Sequence, residues 1–100
     1  MAKYILLGNW TDQGARNVKE TVKRARAARE AFAAVGVSAR EWFFTMGHYD
    51  VVLTVEAPDA ATLARATLAL GTLGNIRVQT LPSFSVDEME RIINALPDVS

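Results

Sequence analysis

The sequence contains no cysteine. Disulfides, thiolate metal sites and cysteine nucleophiles are therefore excluded. It has a single histidine, His48, and its eleven basic residues cancel against eleven acidic ones. Zero net charge supplies no bulk attraction to duplex DNA or to an anionic membrane, so neither is expected as a partner. Long apolar runs are missing too. The opening MAKYILLGNW is far too short in apolar residues for a signal-peptide core or a membrane span. A cytoplasmic protein is the expectation. Linkers, low-complexity tracts and repeats of solenoid length are absent. One domain spanning 1–100 is expected, with a core so thin at this length that self-association would add useful burial.

What is present is a clear alternation of periods. YILLGNW (4–10) reads as a strand. Thr11 or Asp12 caps a helix that runs to Gly36, with Val18, Val22, Ala25, Phe32 and Val35 as its buried stripe. AREWFFTM (39–46) and HYDVVLTVEA (48–57) flank Gly47 as a hairpin. Pro58-Asp59 opens a second helix, with Leu63, Thr67 and Leu70 on one face and Gly74 at its end. NIRVQTL (75–81) is a fourth strand, and Pro82 suits an edge position. Ser85 and Glu88 form a capping box for a last helix carrying Met89, Ile92, Ile93 and Leu96.

The order β-α-β-β-α-β-α predicts an α+β, ferredoxin-like domain: an antiparallel sheet with two main helices on one face and an extra C-terminal helix. A two-residue turn at Gly47-His48 puts Met46 opposite Tyr49, Phe44 opposite Val51 and Trp42 opposite Leu53, all facing the helices. The other side then carries Glu41, Phe43, Thr45, Asp50, Val52, Thr54 and Glu56, a mixed face with no helix to cover it. The first strand is apolar on both sides. An exposed patch of this kind predicts an interface, with two sheets closing into a dimeric α+β barrel around a lined cavity.

In this topology the first strand runs antiparallel to the third and fourth. Asn9 and Trp10 therefore sit beside Tyr49, Asp50, Asn75 and Arg77, and one rim gathers amide, indole, phenol, carboxylate and guanidinium groups. Asn9, Trp10, His48, Tyr49, Asp50 and Arg77 are the candidate ligand-binding residues. Each also has a plainer reading. Asp50 can pair with Arg77 or accept turn N–H groups, and Tyr49 can be a core aromatic whose hydroxyl finds a polar neighbour. His48 can be a solvated turn residue. One histidine with Asp50 and Glu56 falls short of a metal site, and a His-Asp pair without a nucleophile falls short of a triad. No metal or cofactor is expected. The first helix is basic, at net +3, which reads as a solvated face because no aromatic residue interleaves the charges. Gly71-Thr72-Leu73-Gly74 closes a helix instead of opening one, the wrong polarity for a phosphate loop.

Gly47-His48-Tyr49-Asp50, with Thr45-Met46 before it and Glu56-Ala57-Pro58-Asp59 beyond the Val-rich strand, resembles the GYD-domain family of small bacterial proteins. YILLGNWTDQG and ALGTLGNIRVQT are similar to members of that family as well. The family is in turn similar to the ligand-sensing domain of leucine-responsive regulators, where a comparable hairpin helps form an effector pocket between subunits. The sequence shows no helix-turn-helix, so DNA binding is not implied. The resemblance implies a small-molecule-binding or regulatory module acting as a homo-oligomer, with a pocket near Gly47–Asp50. Asp50 would engage an ammonium or hydroxyl and Arg77 a carboxylate, with Trp10 and Tyr49 as walls. Two alternatives stand beside it. One is a cofactor-independent barrel enzyme using Asp50 as base, with Asn9 or Tyr49 stabilising negative charge. The other is a purely structural subunit of a larger assembly.

Overall fold

The computed structural model describes residues 1–100. Four strands, β1 (Ala2–Trp10), β2 (Ser38–Phe44), β3 (Val51–Ala57) and β4 (Ile76–Ser83), form one sheet in the order β2-β3-β1-β4. Every pairing is antiparallel. The helices are α1 (Asp12–Arg16), α2 (Thr21–Ala34), α3 (Ala60–Thr72) and α4 (Val86–Asn94). This is the expected ferredoxin-like order with an added C-terminal helix. Pro82 lies on edge strand β4, opposite Tyr4, where its missing N–H costs no internal ladder bond.

The period-2 alternation decides which side is core. Tyr4, Leu6 and Gly8 of β1 and Val51, Leu53, Val55 and Ala57 of β3 are buried under the helices, together with Phe32, Val37, Leu63 and Ala66. The odd residues of β1, Ile5, Leu7 and Asn9, therefore project to the open side. With them lie Phe43, Val52, Thr54, Arg77, Gln79 and Leu81, by the register of the three ladders.

Three expectations are corrected. The first helix is not continuous from Thr11 to Gly36: α1 ends at Arg16 with Asn17 as its C-cap, Val18–Glu20 forms a 3₁₀ turn, and α2 begins at Thr21. The break has a local cause. Thr11 caps α1 by accepting the Gly14 N–H, and its own N–H donates to the Asn75 carbonyl at 3.1 Å. A Cβ on Gly14 would stand 1.9 Å from that carbonyl oxygen, so α1 is pinned flush against the entry to β4. The chain must then turn at Asn17 to lay α2 along the sheet, and Arg24 donates to the Asn17 carbonyl at 2.8 Å. As a result Val18, Val22 and Val35 are exposed, while Ala28 and Phe32 supply the buried contacts of α2.

The hairpin keeps the expected pairs Phe44–Val51 and Trp42–Leu53 but opens beyond them. Thr45 N–H donates to the Asp50 carbonyl, and the Thr45 hydroxyl to the Tyr49 carbonyl at 2.6 Å. Met46 is 96% exposed, not on the core side. Tyr49 also leaves the core side: its hydroxyl reaches Gln79 of β4 at 3.2 Å. In β2 a bulge between Ala39 and Trp42 sets both Arg40 and Glu41 against Thr54. The extra residue turns Arg40 to the open side, where it forms a 2.6 Å ion pair with Glu56. In α4 the expected capping box is present, and Met89, Ile92, Ile93 and Leu96 are all exposed, so that the helix buries no residue.

The outcome is a molecule with too much surface. Its 7044 Å² of accessible area exceeds the roughly 5,600 Å² expected for a folded monomer of its mass. It is 54 Å long, whereas a nine-residue strand spans roughly 30 Å. The open face and the projecting α4 account for the difference.

Candidate functional site

The rim at the hairpin is built largely by backbone demand. Asp50 N–H donates to the Gly8 carbonyl at 2.9 Å, and its Oδ2 accepts the Trp10 N–H, also at 2.9 Å. Asn9 Nδ2 donates to the His48 carbonyl at 2.6 Å. These three bonds fasten the end of β1 to the chain entering β3, and they fix the hairpin in one orientation. The Asp50 carboxylate thus serves a backbone amide and not Arg77, with which it forms no ion pair.

Side chains divide across the sheet. Asn9, Arg77 and Gln79 stand on the open face, and Tyr49 bridges over β1 to Gln79. Arg77 lies directly across from Asn9 and is exposed. The indole of Trp10 points the other way, into the helix side, where it stacks on Phe44 at 6.2 Å and 20°. His48 is exposed and contributes its carbonyl to the rim. The structure therefore groups Asn9, Tyr49 and Arg77 on one face, places Asp50 at their edge, and sends Trp10 and His48 elsewhere. Gln79 was missed by sequence reasoning. The signal was available: it is two residues from Arg77 on a strand, hence on the same face.

The group can offer one guanidinium, one phenol, two amides and the second oxygen of Asp50. That set suits recognition of a small polar molecule by hydrogen bonds and charges of both signs. No cluster of three or more histidine, aspartate or glutamate side chains forms anywhere in the chain. The carboxylates held clearly below their usual range lie far from this rim. Asp59 is lowered chiefly by the Thr62 backbone N–H, Glu88 by the Ser85 backbone N–H, and Asp98 by the Ser100 hydroxyl. The first two are helix caps.

Two larger concavities lie away from the rim. A hollow of about 400 Å³ at the other end of the open face is lined by Lys3, Ile5, Arg40, Glu56 and Phe84. A groove of about 500 Å³ runs between α2 and α3 on the helix side, and fifteen of its nineteen lining residues are apolar.

The architecture and the rim define a ferredoxin-like α+β domain with an uncovered sheet face and a fastened Gly-His-Tyr-Asp hairpin. The chain belongs to the GYD domain family, whose sequence model matches residues 4–93. A curated relative from Thermus thermophilus is 33% identical over 90 residues, covering 89% of this chain and 95% of that protein. It carries the name glutamine synthetase and cystathionine beta-lyase binding protein. No solved structure matches the chain. No helix is long and apolar enough to cross a membrane.

Proposed function

We propose that this protein is a cytoplasmic binding or regulatory module that works as a homo-oligomer, its open sheet faces closed against one another. The Gly47–Asp50 hairpin stands at the lip of the enclosed space. The observation that carries this reading is the open face itself. Phe43 is 55% exposed, Leu81 is exposed, and Ile5, Leu7 and Val52 are only half-buried. The surplus of about 1,400 Å² over a monomer of this mass, shared between this face and α4, compares with the roughly 800 Å² that a standard interface takes from each partner. A closed pair would bring Arg77, Tyr49 and Asn9 into a partly desolvated space, where one guanidinium and several hydrogen-bonding groups fit a small organic acid or amino acid.

The client of such a module is a protein. The relative is named for binding glutamine synthetase and cystathionine beta-lyase, and similarity along nearly the full length of both chains supports the same class of partner here. The test is immobilised glutamine synthetase and cystathionine beta-lyase of the same organism, titrated with the purified protein at micromolar concentration. Saturable binding to either enzyme, altered by an amino acid that also raises the melting temperature of the free module, is expected. A folded protein that binds neither enzyme, and whose melting point no amino acid moves, would overturn the reading.

A further inference from the structure

Two further apolar surfaces are unpartnered, a groove on the helix side of the sheet and the projecting α4, and they match. The first is the groove between α2 and α3. These helices splay over the sheet around about 500 Å³ of space, with Ala28, Phe32 and Ala66 buried at its floor and Val35, Phe44, Ala69 and Leu73 exposed along its walls. Arg24 and Arg65 are its charged lining residues, and no aspartate or glutamate lines it. Both arginines donate to neutral oxygens, the Asn17 carbonyl and the Thr62 hydroxyl, and neither has a carboxylate within ion-pair distance. The groove is therefore apolar and carries two arginines that form no ion pair.

The second surface is α4. Val86, Met89, Ile93 and Leu96 fall at i, i+3, i+7 and i+10 with Ile92 beside them, a single apolar stripe on a helix that buries no residue. The rest of α4 carries Asp87, Glu88 and Glu90 against Arg91, a net −2, while α2 carries Lys23, Arg24, Arg26 and Arg29 against Glu30, a net +3.

The helix cannot occupy the groove of its own chain. Only Phe84 and Ser85 separate β4 from α4, so the connection reaches about 10 Å at most. Between the β4 edge and the groove stands α3, which packs over β3 and β4 and is roughly 10–12 Å across with its side chains. An amphipathic helix laid stripe-down in an apolar groove is a recurrent mode of recognition, and here the donor must be another molecule.

We propose that α4 of one copy docks into the α2–α3 groove of a second copy, its stripe on the exposed lining residues Val35, Phe44, Ala69 and Leu73 and its acidic side facing Arg24 and Arg65. The groove lies on the opposite side of the sheet from the open face. Together the two contacts join face-paired molecules into a larger assembly, and α4 is the element that sets its size.

The absence of native cysteine makes the test direct. A chain carrying Ile93→Cys on α4 is mixed with one carrying Ala69→Cys in the exposed groove wall, and a short bismaleimide is added. The expected result is a covalent heterodimer of the two chains. An Ile93→Cys chain mixed with Ala64→Cys, outside the groove, should give at least tenfold less product. Arg24→Glu with Arg65→Glu should reduce the cross-link severalfold. Repeating the experiment with Phe43→Asp added to both chains separates this contact from face pairing: the cross-link should persist whether or not the open faces part. Folded chains that give no groove-specific product would assign the groove to some other occupant, a small apolar acid or an unrelated protein, and overturn the proposal. So would a double variant that links within one chain.

Discussion

The carboxylate of Asp50 accepts the backbone N–H of Trp10 at 2.9 Å across forty residues of sequence. It closes the sheet at the point where the β1–β3 ladder gives out, and it gives the aspartate of the Gly-His-Tyr-Asp stretch a structural task whatever else it does. Asp50→Ala leaves a half-buried N–H without an acceptor and should cost about 1–3 kcal/mol. Asp50→Asn keeps an oxygen in place and should cost clearly less. Urea unfolding of the two variants decides it, and equal losses would show that charge, not hydrogen bonding, is what the rim uses.

Two glycines make an opposed pair of expectations. At Gly14 any side chain collides with the Asn75 backbone, so Gly14→Ala should destabilise the fold by about 2 kcal/mol or more through overpacking. Gly71 lies within α3 with open space around it and no positive φ. Gly71→Ala should stabilise by about 0.4–1 kcal/mol, because it removes freedom from the unfolded chain. Thermal melts of both check the sign.

Leu63 of α3 is 1% exposed and sits at the centre of the core. In a domain with only fourteen buried residues, Leu63→Ala should cost about 2–5 kcal/mol, a large share of the stability of a small domain. Chemical denaturation should show the midpoint falling with little change in slope.

The helix caps predict the acid limb of the stability curve. The Thr62 N–H holds the Asp59 carboxyl below its ordinary 3.8, and the Ser85 N–H holds Glu88 below its ordinary 4.5. A carboxyl lowered in the folded state binds fewer protons there than in the unfolded chain. Its stabilisation is complete above the ordinary value and disappears as pH falls through the folded one. The melting temperature should therefore begin to drop near pH 4.5 and continue downward below 3.8. Asp59→Asn, which keeps a capping oxygen but cannot titrate, should flatten the lower part of that decline.

Much of this architecture is legible in the sequence because alternation and capping are local. The Trp42–Leu53 and Phe44–Val51 pairs follow from period 2, and the Ser85–Glu88 box follows from spacing alone. What was not legible depends on distant partners. The break after Arg16 is imposed by the Asn75 carbonyl, far along the chain from Gly14, and no helix-period count contains that contact. Tyr49 leaves the core side because Gln79 waits across the sheet, and Arg40 changes side through one inserted residue in β2. For the candidate site, topology alone brought Asn9, Tyr49, Asp50 and Arg77 to one rim. It could not reveal that Trp10 turns its ring away, nor that the α2–α3 groove stays open.

The most direct test of the account is the mass of the protein in dilute solution, measured by light scattering alongside Phe43→Asp. The open sheet face predicts a dimer or a larger oligomer for the native chain, and a smaller species once Phe43 is charged. A native chain that runs as a 10.9 kDa monomer at micromolar concentration, its sheet wetted, would contradict it.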